Sequence, residues 1–418
     1  MSSSTAPATT SDSSDHLHTP TLDRESSALL HSISEHGGYA YVSMASLAIL
    51  GDFRAAEAAR EMAWEQLHSG PRHSVLPVWR DAYSMACLHV AKHHYINGQF
   101  KEALRALDMG LIMGGSLLKK DLSSVVDKVS ERFKNIRASK ETREGFRMSE
   151  HRLVSNELNQ VEVHKLLPSN SLSYKIVEKR SALSLESFLE DYYRSGYPII
   201  ISDCMAHWPA KTKWNDIDYL QKVAGDRTIP VEVGKSYLRA EGKHELVTFS
   251  EFLQRMESHG CSSAGPTYLA QYPLFDQINE LRKDICIPDY CLAGGGELRS
   301  LNAWFGPAGM VTPLHHDPHH NILAQVVGKN YVRLYPPSLS RELYHYTETL
   351  LMNSRQIDLD KVDEKMFPGL QDLEFVDCIL EEGELLYIPQ RWWRHVRSLT
   401  TGFSVSFCWS EAEGSATP

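Results

Sequence analysis

The sequence predicts an α+β chain in two parts: a helical N-terminal domain followed by an all-β sandwich or barrel with a few added helices. Two textures and a repeat predict it. Residues 24–137 are rich in Ala, Leu, Met and Glu with few β-branched runs, the pattern of packed helices. From residue 173 short β-rich segments alternate with Gly, Pro and Asp turns, the pattern of a sandwich or barrel. Within the helical part, "GDFRAAEAAREM" at 51–62 aligns with "GQFKEALRALDM" at 98–109, 47 residues later.

Taken in order, residues 1–23 read as a disordered tail. "MSSSTAPATTSDSSDHLHTP" has neither the apolar core of a signal peptide nor the Arg of a transit peptide. In the repeat, Gly51/Gly98, Phe53/Phe100, Ala56/Ala103, Ala59/Ala106 and Met62/Met109 match. The pattern resembles tetratricopeptide-like hairpins, at a longer period than theirs. It serves either as a peptide-docking surface or as a cap on the next domain. Residues 138–172 are polar and charged and read as a linker or exposed helices. Strands are expected at "YPIIISD", "TIPVEVG", "LRSLNAWFG", "NILAQVVG", "NYVRLYPP", "FVDCILEEGELLYIP", "RWWRHVRSL" and "FSVSFCWS", with helices at "LSLESFLEDYYRSG" and "FSEFLQRMES". The β domain runs over 173–412, and 413–418 form a short tail.

Composition narrows the function. The net charge of -10 argues against direct nucleic-acid binding, which needs clustered Lys and Arg, and suits a basic protein partner. Seven scattered Cys, odd in number and without a CxxC pair, exclude a disulfide framework or zinc ribbon. Apolar runs such as "YPIII" are too short to cross a bilayer. The expected compartment is the nucleus, the cytoplasm or both.

The chemistry concentrates in "MVTPLHHDPHHNILAQVVG", 310–328. Three local readings compete: a general metal tract of four His, two legs of a 2-His-1-carboxylate site, or a polar loop. On an extended chain residues i and i+2 point the same way. His315 and Asp317 therefore reach one ion together while His316 points away. A non-haem Fe(II) site needs a third ligand from a distant strand and three open positions.

With "LNAWFGPAGMVTPLHHDPHHNILAQVVGKNYVRLYP" and "GELLYIPQRWWRHVRSLTTGFSVSFCWS", the chain resembles the jumonji-C family of Fe(II)/2-oxoglutarate dioxygenases. It is most similar to small members with a helical N-terminal domain, the plant branch above all. The resemblance implies a double-stranded β-helix and a chromatin role as histone lysine demethylase or arginyl hydroxylase on basic tails. It also implies Fe(II) and 2-oxoglutarate as cofactors. Hydroxylation of an N-methyl group then releases formaldehyde. Residue by residue, it makes His315 and Asp317 metal ligands. Tyr268, Thr312 and Asn321 become hydrogen-bonding partners of 2-oxoglutarate, and Trp304 a wall of its pocket. A bland reading stands beside each: Trp304 and Tyr268 as core aromatics, Asn321 as a turn cap. No further catalytic side chain is implied.

Three positions depart from the family pattern. Where it places the third His ligand this chain has Arg394, with His395 one residue late. A one-residue offset on a strand reverses the side chain, so His395 reaches the site only across a bulge. A guanidinium has no lone pair to give. About 4 Å from a dication it is repelled by roughly 8 kcal/mol at an effective dielectric of about 20. Asn330 stands where the family places a Lys that pairs with 2-oxoglutarate. The alternation of Val326, Gly328, Asn330, Val332 and Leu334 turns it inward, and Lys329 outward. Losing that charge costs one to two decades of affinity, roughly 1.5–3 kcal/mol. Cys408 stands where Trp is usual, with a void of aromatic size as its expected consequence. Two classes of function follow. One is a dioxygenase acting on basic tails. The other is a catalytically impaired descendant kept as a protein-binding or regulatory module, with Arg394 paired to Asp317 across the site.

Overall fold

The structure is a computed structural model that describes residues 16–71, 74–141, 152–153, 165–168, 170–172, 175–234, 243–257, 265–343, 359, 365 and 369–411. The chain divides into two compact units at Arg147/Met148.

The first unit contains six described helices, α1 (Pro20–Glu35), α2 (Tyr39–Ile49), α3 (Phe53–His68), α4 (Pro77–Ile96), α5 (Phe100–Met113) and α6 (Lys119–Glu141). Helix α1 begins inside the segment read as a tail. Proline in the first turn loses no hydrogen bond and starts the helix at Pro20. At the other end α6 runs past residue 137 to Glu141.

The repeat sets helices α3 and α5. Gly51 and Gly98 take positive φ (96° and 70°) to turn the chain into each. Asp52 caps α3 by accepting from the Ala55 N–H at 3.1 Å. Ala56, Ala59, Ala103 and Ala106 are buried. Their small side chains let the helices pack closely against α4, the helix with the longest buried face.

The second unit is built on strands β1 (Lys175–Ile176), β2 (Lys179–Ser181), β3 (Ile199–Ser202), β4 (Thr228–Val233), β5 (Lys243–Thr248), β6 (Thr267–Tyr272), β7 (Glu297–Gly306), β8 (Val311–His316), β9 (His320–Val327), β10 (Asn330–Tyr335), β11 (Val376–Leu380), β12 (Glu384–Ile388), β13 (Trp393–Ser398) and β14 (Gly402–Ser410). Among the described residues they form two sheets, ordered β1-β11-β10-β13-β8 and β2-β3-β12-β9-β14-β7-β6-β4-β5. Sequence reasoning missed β5 and the two short strands β1 and β2. It also passed over β6 and β8 as strands, reading them for single residues.

Period-two alternation decides what each face meets. On β14, Phe403, Val405, Phe407 and Trp409 join a large aromatic core with Trp208, Trp214, Phe252 and Phe305. Ser404, Ser406 and Cys408 face the other way, toward the space between the sheets. There Leu323, Val332, Leu334, Leu386 and Ile388 form a second core. One expectation fails in detail. Val326 belongs to the first core and Asn330 to the inner space, because β9 and β10 lie in different sheets and the alternation does not run through Gly328. Asn330 still faces inward.

The segment read as a linker is partly fastened to this unit. The Leu153 N–H donates to the Asn215 carbonyl at 3.0 Å. The Leu166 carbonyl accepts from Arg397 Nη1 at 2.8 Å, and the Leu172 N–H donates to Asp377 Oδ2 at 2.8 Å.

Candidate functional site

Between the two sheets lies a small cavity of about 30 Å³. All the residues singled out as binding 2-oxoglutarate, Tyr268, Trp304, Thr312, Asn321 and Asn330, line it, together with His315 and Arg394. Tyr268 and Trp304 make one wall, ring centroids 6.2 Å apart. Gly306 permits this: a Cβ there would lie 2.4 Å from the Tyr268 ring. Asn321 is 2 % exposed and is no turn cap; Nδ2 donates to Ser406 Oγ at 3.0 Å and to Cys408 Sγ at 3.4 Å.

Arg394 occupies the seat between His315 and Asp317. Its Nε donates to His315 Nε2 at 3.0 Å, and its Nη2 pairs with Asp317 Oδ2. The tautomer follows from the next bond. His315 Nδ1 lies 2.8 Å from the Pro313 carbonyl, which can only accept, so Nδ1 carries the proton and Nε2 offers its lone pair. That lone pair is the one a metal would use, and the guanidinium has it. Burial first, then the neighbouring Arg394, pushes the His315 pKa down to about 4. For Asp317 burial pulls upward, but Arg394 and His315 outweigh it and hold the carboxyl below the usual range. The Asp317 carbonyl also accepts from the Arg391 N–H at 2.9 Å, which ties the loop to the start of β13.

The strand register places Arg394 opposite His315 and Val396 opposite Thr312. Pro313 and Leu314 therefore face His395 alone. The irregularity that His395 needs exists, but its extra residue is on β8, at a proline that cannot join the ladder. His395 stays on the outer face, opposite Arg333 of β10. It is 1 % exposed, and neither ring nitrogen has a hydrogen-bond partner among the described residues. Burial, then Arg397 and Arg333, push its pKa down to about 3. His395 is therefore not a substitute ligand. His316 also faces away, edge-on to Trp393 with centroids 4.6 Å apart. His320 of the same tract bonds Tyr387 Oη at 2.9 Å and stacks on Trp409.

These residues do not fit Fe(II). Among the described residues no group of three His, Cys, Asp or Glu side chains is placed to hold a metal. Nor do they fit a dicarboxylate as the family holds it. Asn330 Nδ2 bonds Gln325 Oε1 at 2.8 Å and Ser404 Oγ at 3.0 Å. Among the described residues Arg394 is the only cationic side chain lining the cavity. Lys329 points outward to Glu381, 2.6 Å away. Cys408 is 7 % exposed beside Asn321 and Ser406, and does not line the cavity as the expected void would require.

Sequence reasoning missed Ser404, Ser406 and Gln325. The signal was present: "FSVSFCW" alternates polar and apolar residues, and Asn321, Leu323 and Gln325 share one face of β9.

Comparison with known proteins defines the class first. Residues 185–414 match the cupin-like domain family, and residues 19–144 match the family described as KDM8-like, N-terminal ARM repeats. The chain belongs to the cupin-like jumonji-C family of Fe(II)/2-oxoglutarate oxygenases, with KDM8-like armadillo repeats before the catalytic-type domain. The repeats are thus armadillo-like rather than tetratricopeptide-like, and the 47-residue spacing fits. The particular relatives are more specific. The chain is 64 % identical to Lysine-specific demethylase JMJ30 of Arabidopsis thaliana, over 98 % of this chain and 99 % of the relative. It is 34 % identical to Lysine-specific demethylase 8 of Xenopus tropicalis over 84 % and 87 %, and 38 % identical to that of Danio rerio over 84 % and 86 %. Among the described residues no helix is long and apolar enough to cross a membrane.

Proposed function

We propose that the chain is a lysine-demethylase-type jumonji-C protein that recognises a basic protein tail, such as a histone tail, but has given up iron-dependent turnover. It acts as a binding or regulatory module in the nucleus, the cytoplasm or both. One observation carries this: Arg394 bonds His315 Nε2 and Asp317 at once, filling the place of the ion. The relatives' names point to methylated lysine, and the net charge of -10 suits a cationic tail.

A second reading, a working demethylase, is favoured by the 64 % identity to a protein of that name. Succinate and formaldehyde release with Fe(II), 2-oxoglutarate and a methyl-lysine histone peptide separates the two. The chain as it stands stays at background, and Arg394→His/Asn330→Lys rises above it. If the unmodified chain turns over as fast as the double variant, the second reading holds.

A further inference from the structure

Helices α2 and α4, which lead into the two repeats, end in the same turn but fill one place in it differently. At the end of α2 the Gly51 N–H donates to the Ala48 carbonyl at 3.0 Å, and the Asp52 N–H to the Leu47 carbonyl at 3.1 Å. At the end of α4 the Gly98 N–H donates to the Tyr95 carbonyl at 3.0 Å, and the Gln99 N–H to the His94 carbonyl at 2.9 Å. Both are the paired bonds of a Schellman turn around a left-handed glycine. The residue before that glycine is Asn97 in one turn and Leu50 in the other. Asn97 serves its turn, because Nδ2 donates to the His93 carbonyl at 2.9 Å. Leu50 has no polar group to do so, and it is 83 % exposed. Asp52 stands where such turns often place an apolar partner for Leu47, and Leu47 is exposed as well. Residues 36–51 contain no Asp, Glu, Lys or Arg. The turn itself gives no reason for a leucine at position 50.

Beside this turn lies a cavity of about 280 Å³, with Leu22, Ala48, Ile49, Phe53, Ala56 and Ile96 as its apolar lining. Cavities of about 150 Å³ take up benzene, so this one has room for a leucine side chain. Its charged lining is already engaged. Lys92 Nζ donates to Thr19 Oγ1 at 2.7 Å, Thr19 Oγ1 donates to Asp23 Oδ1 at 3.3 Å, and Asp52 caps α3. An uncharged occupant suits such a lining. We propose that the corner between α2 and α3 is a self-association surface, on which Leu50 of each copy enters this cavity of the other. A knob and a hole side by side on one surface are self-complementary, the condition for a closed two-fold dimer. Charge favours the same occupant. Each copy carries a net charge of -10, and two such copies repel least where no charged side chain faces its own counterpart. A basic partner would be drawn to carboxylates rather than to the uncharged end of α2.

The surface lies within the helical unit and is independent of the Arg394 seat. Sedimentation equilibrium of the full chain tests it. The unmodified chain is expected to interconvert between monomer and dimer with a Kd in the micromolar range. Leu50→Asn, which copies the turn at the end of α4, is expected to raise that Kd at least about tenfold, and Ile96→Ser, in the cavity lining, to do the same. Both side chains are exposed, at 83 % and 76 %. Circular dichroism checks that each variant folds, and if one does not, the other decides. Tyr39→Ser removes another exposed apolar side chain of α2, outside the cavity lining. It is expected to leave the Kd within about twofold. A chain that stays monomeric up to the millimolar range overturns the proposal, even if a foreign protein binds the corner. So does a dimer that Leu50→Asn leaves unchanged, or one that Tyr39→Ser weakens as much.

Discussion

The two sides of the cavity differ in how they treat the family's pattern. Tyr268, Trp304, Thr312 and Asn321, on β6 to β9, are the residue types that the resemblance assigns there, and they close around one space. Asn330, Arg394 and Cys408, on β10, β13 and β14, are not. Yet the altered side is not a damaged surface. Arg394 has two partners, Asn330 two, and Cys408 accepts from Asn321. Removing a ligand would leave a buried carboxylate unpaired, a cost of several kcal/mol. Here a guanidinium supplies the missing charge. The difference teaches that replacing a ligand and keeping a packed fold are compatible when the replacing side chain satisfies the groups the ion would have held.

Substitutions sharpen that comparison, beginning with the largest effect. Restoring the altered side with Arg394→His and Asn330→Lys should raise succinate release by at least about 100-fold, the Lys alone accounting for roughly one to two decades of 2-oxoglutarate affinity. Next, Arg394→Met strands Asp317. Urea unfolding should show a loss of about 2–3 kcal/mol, below the full buried-pair cost because the Asp317 side chain keeps 22 % exposure.

Acid sensitivity comes third. His395 has its folded pKa near 3 and an unfolded value near 6.5. Between these the unfolded chain binds the extra proton, so stability is full above about pH 6.5 and falls as pH falls toward 3. His395→Phe should flatten that slope by close to one proton, roughly 1.4 kcal/mol per pH unit, in unfolding measured across the window. Asp317 adds a smaller, more acidic loss. Its depressed pKa stabilises the fold above the ordinary carboxylate range, and that contribution disappears as pH drops through the folded value. The smallest effect is Lys329→Ala. Its half-exposed pair with Glu381 contributes under about 1 kcal/mol, and 2-oxoglutarate binding should not change. A change in binding would mean that Lys329, not position 330, serves the cavity.

Much of this site was legible in the sequence. The i, i+2 rule put His315 and Asp317 together and turned His316 away. Strand parity put Arg394 in and His395 out, and the register agrees. The Arg394–Asp317 pair was expected from facing positions. The rest was hidden for physical reasons. Pro313 places the bulge on β8 rather than β13, and only the paired register reveals it. The alternation around Asn330 gave the right face, yet Val326 lies in another core because the chain changes sheets at Gly328. The partners of Asn330 come from β9 and β14, and a single sequence does not show which strands will be neighbours. The start of α1 at Pro20 was readable from the proline and was masked by the Ser/Thr texture before it.

Arg394 sits between His315 and Asp317, where the family's ion would be held. Cobalt(II) titration of the full chain, followed by its visible absorption, tests this directly against Arg394→His. The unmodified chain is expected to give no site-bound spectrum at micromolar cobalt, and the variant a stoichiometric one. A stoichiometric spectrum from the unmodified chain, unchanged by Arg394→His, would contradict it.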